Sequence, residues 1–197
     1  MTPYSKTGTL INVAVSPMDS TRTVSIVIAF SLLNALAAQI AIPIGPVPIT
    51  MQTFAVTLTG ALLGSRLGAA ALIAYLIEGA VGLPFFAGGT AGLGVLLGPT
   101  GGYLVSFPAA AYITGAFAEH GWDRRFLTAV AAMAIGSVVI LLAGWAWLTV
   151  GLKATASGAF KLGVAPFLLG DVVKILLAAA VLPTGWALLK RKASGGS

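Results

Sequence analysis

The hydrophobic positions of this chain fall into six long runs, which short polar, proline-rich or glycine-rich segments separate. A helix needs about 20 residues to cross the ~30 Å hydrocarbon layer of a bilayer, and most of the runs approach that length. The runs do not alternate apolar with polar positions, as the strands of a membrane barrel do. The pattern therefore predicts an all-α membrane bundle of six transmembrane helices, at residues 24–42, 51–65, 67–82, 100–118, 126–150 and 167–189.

The ends of the chain lack this hydrophobic pattern. We predict a cytoplasmic N-terminal tail over residues 1–23, a six-helix membrane domain over residues 24–190 and a cytoplasmic C-terminal tail over residues 191–197. Arg22 and the apolar run after it imitate a secretory signal peptide. Because that run continues through Ile42 to a membrane-spanning length, we interpret it as the first helix rather than a cleaved leader.

Composition supports a membrane protein. Of the 197 residues, 58% are hydrophobic and 8% are charged, whereas about a quarter of the residues of a soluble domain are charged. The net charge of +6 does not form a basic patch, because the basic residues are scattered along the chain. We therefore expect contact with membrane lipids and no binding of nucleic acid. Cysteine is absent, which excludes disulfides and thiolate metal sites.

The basic residues divide unequally between the two sides of the predicted bundle. Basic residues favour the cytoplasmic side of short loops, so the topology that we predict is N-in, C-in. The outer loops then hold only Lys153 and Lys161. The eight basic residues on the cytoplasmic side are Lys6, Arg22, Arg66, Arg124, Arg125, Lys190, Arg191 and Lys192.

This topology brings three segments rich in proline or glycine to the outer side, at residues 42–50, residues 82–102 and the stretch that leads into residues 170–174. Irregular backbone at membrane depth is tolerated where it is buried in protein or lines a cavity. We therefore expect a multi-pass protein of the bacterial cytoplasmic (inner) membrane with a substrate pocket facing outside.

Asp171 and Lys174 are the most informative polar residues, because they lie three positions apart within an apolar run. On a helix this spacing lets the two side chains pair or face the same cavity. A charge inside a span costs about 2.5–3.5 kcal/mol on insertion scales, and such charges usually have a function. The alternative is a structural ion pair, with Lys174 reaching back to the interface. We favour substrate binding, because apolar packing can replace a structural pair with little loss.

Several other residues are candidate substrate contacts. Glu78, the other acid within a span, either accepts hydrogen bonds from a ligand or stays protonated and packed. Gln52 offers a donor and an acceptor at the start of the second span, unless it only meets lipid headgroups. Residues 88–102 contain seven glycines, Gly92 among them, but lack the lysine of a phosphate-binding loop. We expect this loop and Phe86 to cover the apolar part of a solute.

Small residues repeat four positions apart on the first span, as Ser31 with Ala35 and Ala37 with Ala41. This spacing permits close helix approach, either inside the bundle or against another membrane protein, and we assign these four residues to partner docking. His120 is the one histidine, and no serine near it has the context of a catalytic triad. We interpret it as a solvated loop residue and expect no metal site, no cofactor and no catalytic residues.

Five blocks in a fixed order carry a further signal: AQIAIP at residues 38–43, GPVPITMQT at 45–53, GLP at 82–84, LGPTGGY at 97–103 and GDVVK at 170–174. At these blocks the sequence resembles the BioY-type biotin-binding S components of energy-coupling factor (ECF) vitamin transporters. The resemblance covers nearly the whole span region. It implies a six-helix S-component fold that captures biotin from outside with high affinity. It also implies association with a transmembrane coupling protein and a pair of ATP-binding cassette ATPases.

The resemblance also assigns roles to individual residues. Four positions match binding residues of the family, namely Asp171, Lys174, Gln52 and Tyr103. The sequence departs from the family pattern at Glu78, where a neutral polar or small residue is expected, and at Val95, where some relatives carry a basic side chain. These two differences leave the contacts to the substrate's carboxylate open.

The residues alone leave two other functions open. One is a stand-alone facilitator or channel for a small solute, which needs no partner protein. The other is a membrane enzyme that acts on lipid, which the missing catalytic constellation opposes. The chain has no phosphate-binding loop, so uphill transport requires energy from partner proteins.

The predicted topology is tested with reporter fusions at the C-terminus. We expect a reporter that is active only in the cytoplasm to work there, because six crossings return the chain to the side on which it began. Activity of a periplasmic reporter at that position would contradict the N-in, C-in arrangement.

Overall fold

A computed structural model of the chain describes residues 8–15 and 17–194, with positions 190 and 192–194 described by backbone only. This part of the chain is mostly helical, so the all-α class predicted from the sequence is confirmed. Its nine α-helices are α1 Leu10–Val15, α2 Ser20–Gln39, α3 Gln52–Leu63, α4 Ser65–Ala80, α5 Leu93–Leu97, α6 Gly101–Glu119, α7 Phe126–Ala146, α8 Ala156–Gly163 and α9 Ala165–Ser194.

Three of the described helices are long and apolar enough to cross a membrane, by length and composition. They are α2, α7 with the π-helical turn that continues it to Gly151, and α9 up to Leu189. Helices α3, α4 and α6 coincide with the other predicted spans, but α3 and α4 have only 12 and 16 residues. The count of six crossings and their orientation therefore stay predictions.

The segment predicted to be an N-terminal tail contributes to the bundle. Asp19 caps α2, because its carboxylate accepts a hydrogen bond of 2.7 Å from the backbone N–H of Arg22, and the helix consequently begins at Ser20 rather than at residue 24. Ile11 of α1 packs against the hydrophobic core. The prediction of a tail without structure is thus corrected for residues 10–15. The described part of the chain does not include residues 1–7 or residues 195–197. Lys6, which was counted for the topology, is among them.

Two predicted loops contain short elements. Strands β1 Ala41–Ile42 and β2 Ile49–Thr50 pair antiparallel at the two ends of the proline-rich segment, with Ala41 opposite Thr50, so the first membrane helix ends at Gln39 rather than at residue 42. Helix α8 begins after Thr155, whose hydroxyl accepts a hydrogen bond of 3.2 Å from the backbone N–H of Gly158. Sequence periodicity did not predict α8, because a helix of eight residues depends on its cap and its packing rather than on a repeated pattern.

Glycines set the closest helix approaches in the bundle. A Cβ atom on Gly60 of α3 would overlap the backbone carbonyl of Ala111 of α6. A Cβ atom on Gly68 of α4 would lie 2.9 Å from the Cα of Gly60, and one on Gly115 of α6 would overlap the backbone at Gly64. Helices α3, α4 and α6 therefore pack with their backbones almost in contact, as small residues allow in membrane bundles.

The loop between α6 and α7 holds the far half of α9. Trp186 of α9 donates a hydrogen bond of 2.6 Å from Nε1 to the Oδ2 of Asp123, and the Arg124 guanidinium lies 4.8 Å from the indole centroid. Burial raises the pKa of the Asp123 carboxyl above its ordinary value, and the hydrogen bond from Trp186 opposes that rise. These contacts fix α9, which carries Asp171 and Lys174 in its first half.

The glycine crossing makes a stability prediction. Gly60→Ala should lower the free energy of unfolding by about 1–3 kcal/mol, because the added methyl meets the backbone of α6. Gly170→Ala is the matched control within a helix, since its Cβ would have no neighbour within 4 Å. Thermal unfolding of the purified protein in detergent measures both. Equal melting temperatures for the two variants would contradict the close packing of α3 against α6.

Candidate solute-binding site

A cavity lies among the β1–β2 hairpin, the starts of α3 and α6, the loop after α4, helix α5, the middle of α7 and the first third of α9. The volume open to the centre of a water molecule is about 140 Å³, whereas one water needs only roughly 10–15 Å³ by this measure. The cavity therefore has room for a small organic molecule. Its described lining residues are Val47, Pro48, Thr50, Gln52, Thr53, Phe86, Ala87, Thr90, Val95, Thr100, Tyr103, Leu104, Phe107, Ile140, Leu141, Phe167 and Lys174.

Aromatic rings form much of the cavity wall. Phe167 stacks on Tyr103 with ring centroids 6.1 Å apart. Phe86 is fully buried, and its ring occupies the space that a side chain at Gly79 would take. The Nε2 of Gln39, the last residue of α2, donates a hydrogen bond of 3.2 Å to the backbone carbonyl of Phe86. The loop after α4 is thus held by an aromatic anchor and by an amide from a neighbouring helix.

The polar end of the cavity contains a buried ion pair. The Nζ of Lys174 lies 3.1 Å from the Oδ1 of Asp171 and donates a second hydrogen bond of 3.1 Å to the hydroxyl of Thr53. The Thr53 hydroxyl in turn donates to Asp171 Oδ1 at 2.9 Å, and Ser137 of α7 donates to Asp171 Oδ2 at 2.6 Å. Helices α3, α7 and α9 therefore meet through one hydrogen-bonded carboxylate.

Burial makes the two charges of this pair depend on each other. The side chains of Lys174 and Asp171 are only 8% and 5% exposed. Removing two charges from water costs several kcal/mol each, and close pairing together with added hydrogen bonds offsets that cost. The hydroxyls of Thr53 and Ser137 supply these hydrogen bonds, so the pair is stable as an electrically neutral unit.

A second polar group lies where α3 begins. The Nε2 of Gln52 donates a hydrogen bond of 2.7 Å to the Tyr75 hydroxyl, which donates to the carbonyl of Phe85 at 3.3 Å. The Oε1 of Gln52 accepts from the Thr50 hydroxyl at 3.2 Å. A carbonyl oxygen accepts two hydrogen bonds, so Gln52 keeps one acceptor position for a solute. Tyr103, by contrast, uses its hydroxyl as a donor to the backbone carbonyl of Gly163 at 2.7 Å.

The structure brings four of the seven predicted binding residues to the cavity wall: Lys174, Gln52, Tyr103 and Phe86. Asp171 lies behind Lys174, beside a narrow gap that it shares with Ser137, and does not line the cavity. The predicted pairing of Asp171 with Lys174 is confirmed. Direct contact between Asp171 and a solute stays a prediction.

Glu78 and Gly92 do not line the cavity. The carboxylate of Glu78 accepts a hydrogen bond from the Ser31 hydroxyl, which joins α4 to α2. Gly92 has a φ of +92° and donates its backbone N–H to the carbonyl of Gly79 at 2.8 Å, so it anchors the loop after α4. In the structure both residues make contacts within the chain, and their predicted contact with a substrate stays a prediction.

The small residues of α2 face the interior of the chain. Ser31, Ala35 and Ala37 are buried, and α2 packs against α4 and α3. Ala41 lies beyond α2 in the β1 strand, opposite Thr50. The burial of Ser31, Ala35 and Ala37 supports internal packing, which is the other meaning of their spacing, and partner docking stays a prediction. His120 is exposed at the end of α6, as predicted.

Sequence reasoning missed Thr53 and Ser137, which hold Asp171. Ser137 lies within the apolar run of α7, and Thr53 follows Gln52 at the start of α3. A hydroxyl within an apolar span is a weak signal, because serine and threonine also bond to the backbone of their own helix. Only the approach of α3, α7 and α9 distinguishes these two side chains from such residues.

The fold and the cavity define a class of protein, a helical multi-pass membrane protein with a solute-sized cavity among its helices. The model of the BioY family matches residues 8–191. The chain belongs to the BioY family, which confirms the resemblance found in the sequence.

Proteins with similar sequences carry consistent names. The chain is 44% identical to the probable biotin transporter BioY of Pyrococcus horikoshii over 161 residues, which are 80% of this chain and 92% of that protein. It is 38% identical to the biotin transporter BioY of Rhodobacter capsulatus over 167 residues, or 78% and 87% of the two chains. It is also 37% identical to the biotin transporter BioY of Thermotoga maritima over 152 residues, or 77% and 88%.

A solved structure confirms the fold. The crystal structure of the S-component for biotin from an ECF-type ABC transporter matches with a TM-score of 0.77 over 85% of this chain and 93% of that chain. The two sequences are 23% identical, so the match concerns the arrangement of the helices. The predicted S-component-like architecture is therefore confirmed.

The buried pair makes a second stability prediction. Lys174→Met should lower the free energy of unfolding by about 3–5 kcal/mol, because it leaves the Asp171 carboxylate buried without a cation. The double variant Asp171→Asn with Lys174→Met should recover much of that loss, because it removes both charges. Thermal or denaturant unfolding in detergent measures this double-mutant cycle. An equal loss of stability in the single and the double variant would show that the two charges do not stabilise each other.

Proposed function

We propose that this chain captures biotin at high affinity, as the substrate-binding S component of an ECF transporter. The observation that carries the proposal is the enclosed cavity with Lys174 at its polar end, in a member of the BioY family whose relatives are named biotin transporters. Biotin combines an apolar bicycle, a ureido group with two N–H donors and one carbonyl acceptor, and a valerate carboxylate. The cavity offers a counterpart to the bicycle and to the ureido group.

The ureido group is assigned to the polar end. Lys174 donates to the ureido carbonyl, and the free acceptor position of Gln52 receives a ureido N–H. Asp171 orients the Lys174 ammonium through its hydrogen bond. The apolar bicycle packs against the aromatic wall, which includes Phe86 and Phe167. Water is excluded from these contacts, and the low dielectric strengthens each hydrogen bond.

Uptake depends on partners in this proposal. Below the cavity, α3, α4 and α6 pack through Gly60, Gly68 and Gly115, which supports a binding subunit rather than an open channel. A transmembrane coupling protein and a pair of ATP-binding cassette ATPases supply the energy for transport. The chain lies in the cytoplasmic membrane, and its cavity opens to the outside.

Biotin binding to the purified chain tests the proposal. Isothermal titration calorimetry should detect saturable binding to the wild type and at least about tenfold weaker binding to Lys174→Met, which loses a charge-assisted hydrogen bond to the solute. Lys161→Met is the matched control, because this exposed lysine of α8 lies away from the cavity. Absence of binding to the folded wild type, or equal binding by both variants, would overturn the assigned site.

Transport separates a binding subunit from a stand-alone facilitator. Liposomes that contain only this chain should bind radiolabelled biotin without accumulating it, because the chain has no energy source of its own. Accumulation should require the coupling protein, the ATPases and ATP. Rapid equilibration of biotin across liposomes that contain the chain alone would favour the facilitator.

A further inference from the structure

We propose that the cavity recognises the ureido ring of its substrate and leaves the valerate carboxylate without a cationic partner. The affinity of the site then does not depend on the net charge of the substrate. Neutral esters and amides of biotin therefore bind about as tightly as biotin itself. This inference rests on the proposed function and adds to it the part of the substrate that the site selects.

The cavity wall offers few charges to a substrate. Among the described residues that line the cavity, Lys174 is the one with a cationic side chain. That cation is already paired with Asp171 at 3.1 Å, and both side chains are almost completely buried. A carboxylate placed against Lys174 would add a second anion beside Asp171, so repulsion from Asp171 would cancel much of the attraction to Lys174. The carboxylate would also lose its hydration in an apolar cavity.

The polar end of the cavity also has few hydrogen-bond donors to spare. An ammonium group has three N–H donors, and two of those on Lys174 already go to Asp171 and Thr53. One donor remains for the substrate. A single neutral carbonyl is satisfied by one such bond, whereas a buried carboxylate needs several donors on its two oxygens. The neighbouring hydroxyls of Thr53 and Ser137 are already donating to Asp171. The polar end of the cavity therefore matches a neutral carbonyl better than an anion.

Exposure to solvent changes along the cavity wall. Lys174 and Gln52 are buried, whereas Val95 and Ala87 are half-buried and Thr90 is exposed. The cavity thus has a dry polar end and a rim that reaches the surface. A carboxylate at this rim keeps its hydration, and no charged side chain among the described lining residues is there to bind it. The flexible valerate chain can span the apolar wall between the two ends.

The inference predicts which ligands the site accepts. Changes at the carboxyl end of biotin, such as a methyl ester or a primary amide, leave every proposed contact intact. Changes at the ureido group, such as replacement of its carbonyl oxygen, remove the acceptor for Lys174. The site therefore selects the ureido ring and tolerates modification of the carboxyl group of biotin.

Calorimetry on the full chain in detergent tests this specificity with three ligands: biotin, biotin methyl ester and biotinamide. We expect the three dissociation constants to agree within about fivefold, which corresponds to about 1 kcal/mol. If biotin binds but both neutral derivatives bind more than about fivefold more weakly, the inference is wrong and the proposed function still stands. Failure of biotin itself to bind would overturn both.

A gain-of-function variant provides an independent test at the rim. Val95→Arg adds a cation at the half-buried edge and should make the chain prefer biotin over its methyl ester by about tenfold, as one charge-assisted contact allows. Val95→Leu changes the size of the side chain without adding charge, and should keep the ratio of the wild type. An unchanged ratio in Val95→Arg, with biotin still bound, would contradict the placement of the carboxylate at the rim.

Discussion

The structure depends on one constraint: two opposite charges that are buried among the helices must neutralise each other and still leave a group for a solute. Asp171 and Lys174 meet this constraint because three positions on α9 bring their side chains together, and because Thr53 and Ser137 satisfy the carboxylate from two other helices. The same contacts decide that the lysine, and not the acid, faces the cavity. The arrangement of α3, α7 and α9 is therefore inseparable from the chemistry of the site.

The remainder of the bundle holds these helices in place. Close packing through glycines joins α3 to α4 and α6, which fixes the helix that carries Gln52 and Thr53. In the far half of α9, Trp186 donates a hydrogen bond to Asp123. The helix that carries the ion pair is therefore also held at a point well beyond the cavity. Phe86 completes the wall of the cavity by filling the space above Gly79. A site made of few polar groups thus relies on a rigid apolar frame, as solute pockets in general do.

Much of this fold could be predicted from the sequence, because long apolar runs leave the chain few alternatives to membrane helices. The pairing of Asp171 with Lys174 was also predictable, since helical spacing alone determines which residues share a face. The contacts of Glu78, Ser31 and Ala35 were not. Whether an acid faces a cavity, or a small residue faces a partner, depends on the rotation of each helix about its axis. That rotation is set by packing between helices and leaves no local signature in the chain.

In the proposed complex, Lys174 donates a hydrogen bond to the ureido carbonyl of biotin inside the cavity. An experimental structure of the protein with biotin bound tests it most directly. We expect the ureido oxygen within about 2.7–3.2 Å of the Lys174 Nζ, with the valerate chain directed toward Val95. A reversed ligand whose carboxylate contacts Lys174, or a biotin molecule bound outside this cavity, would contradict the account.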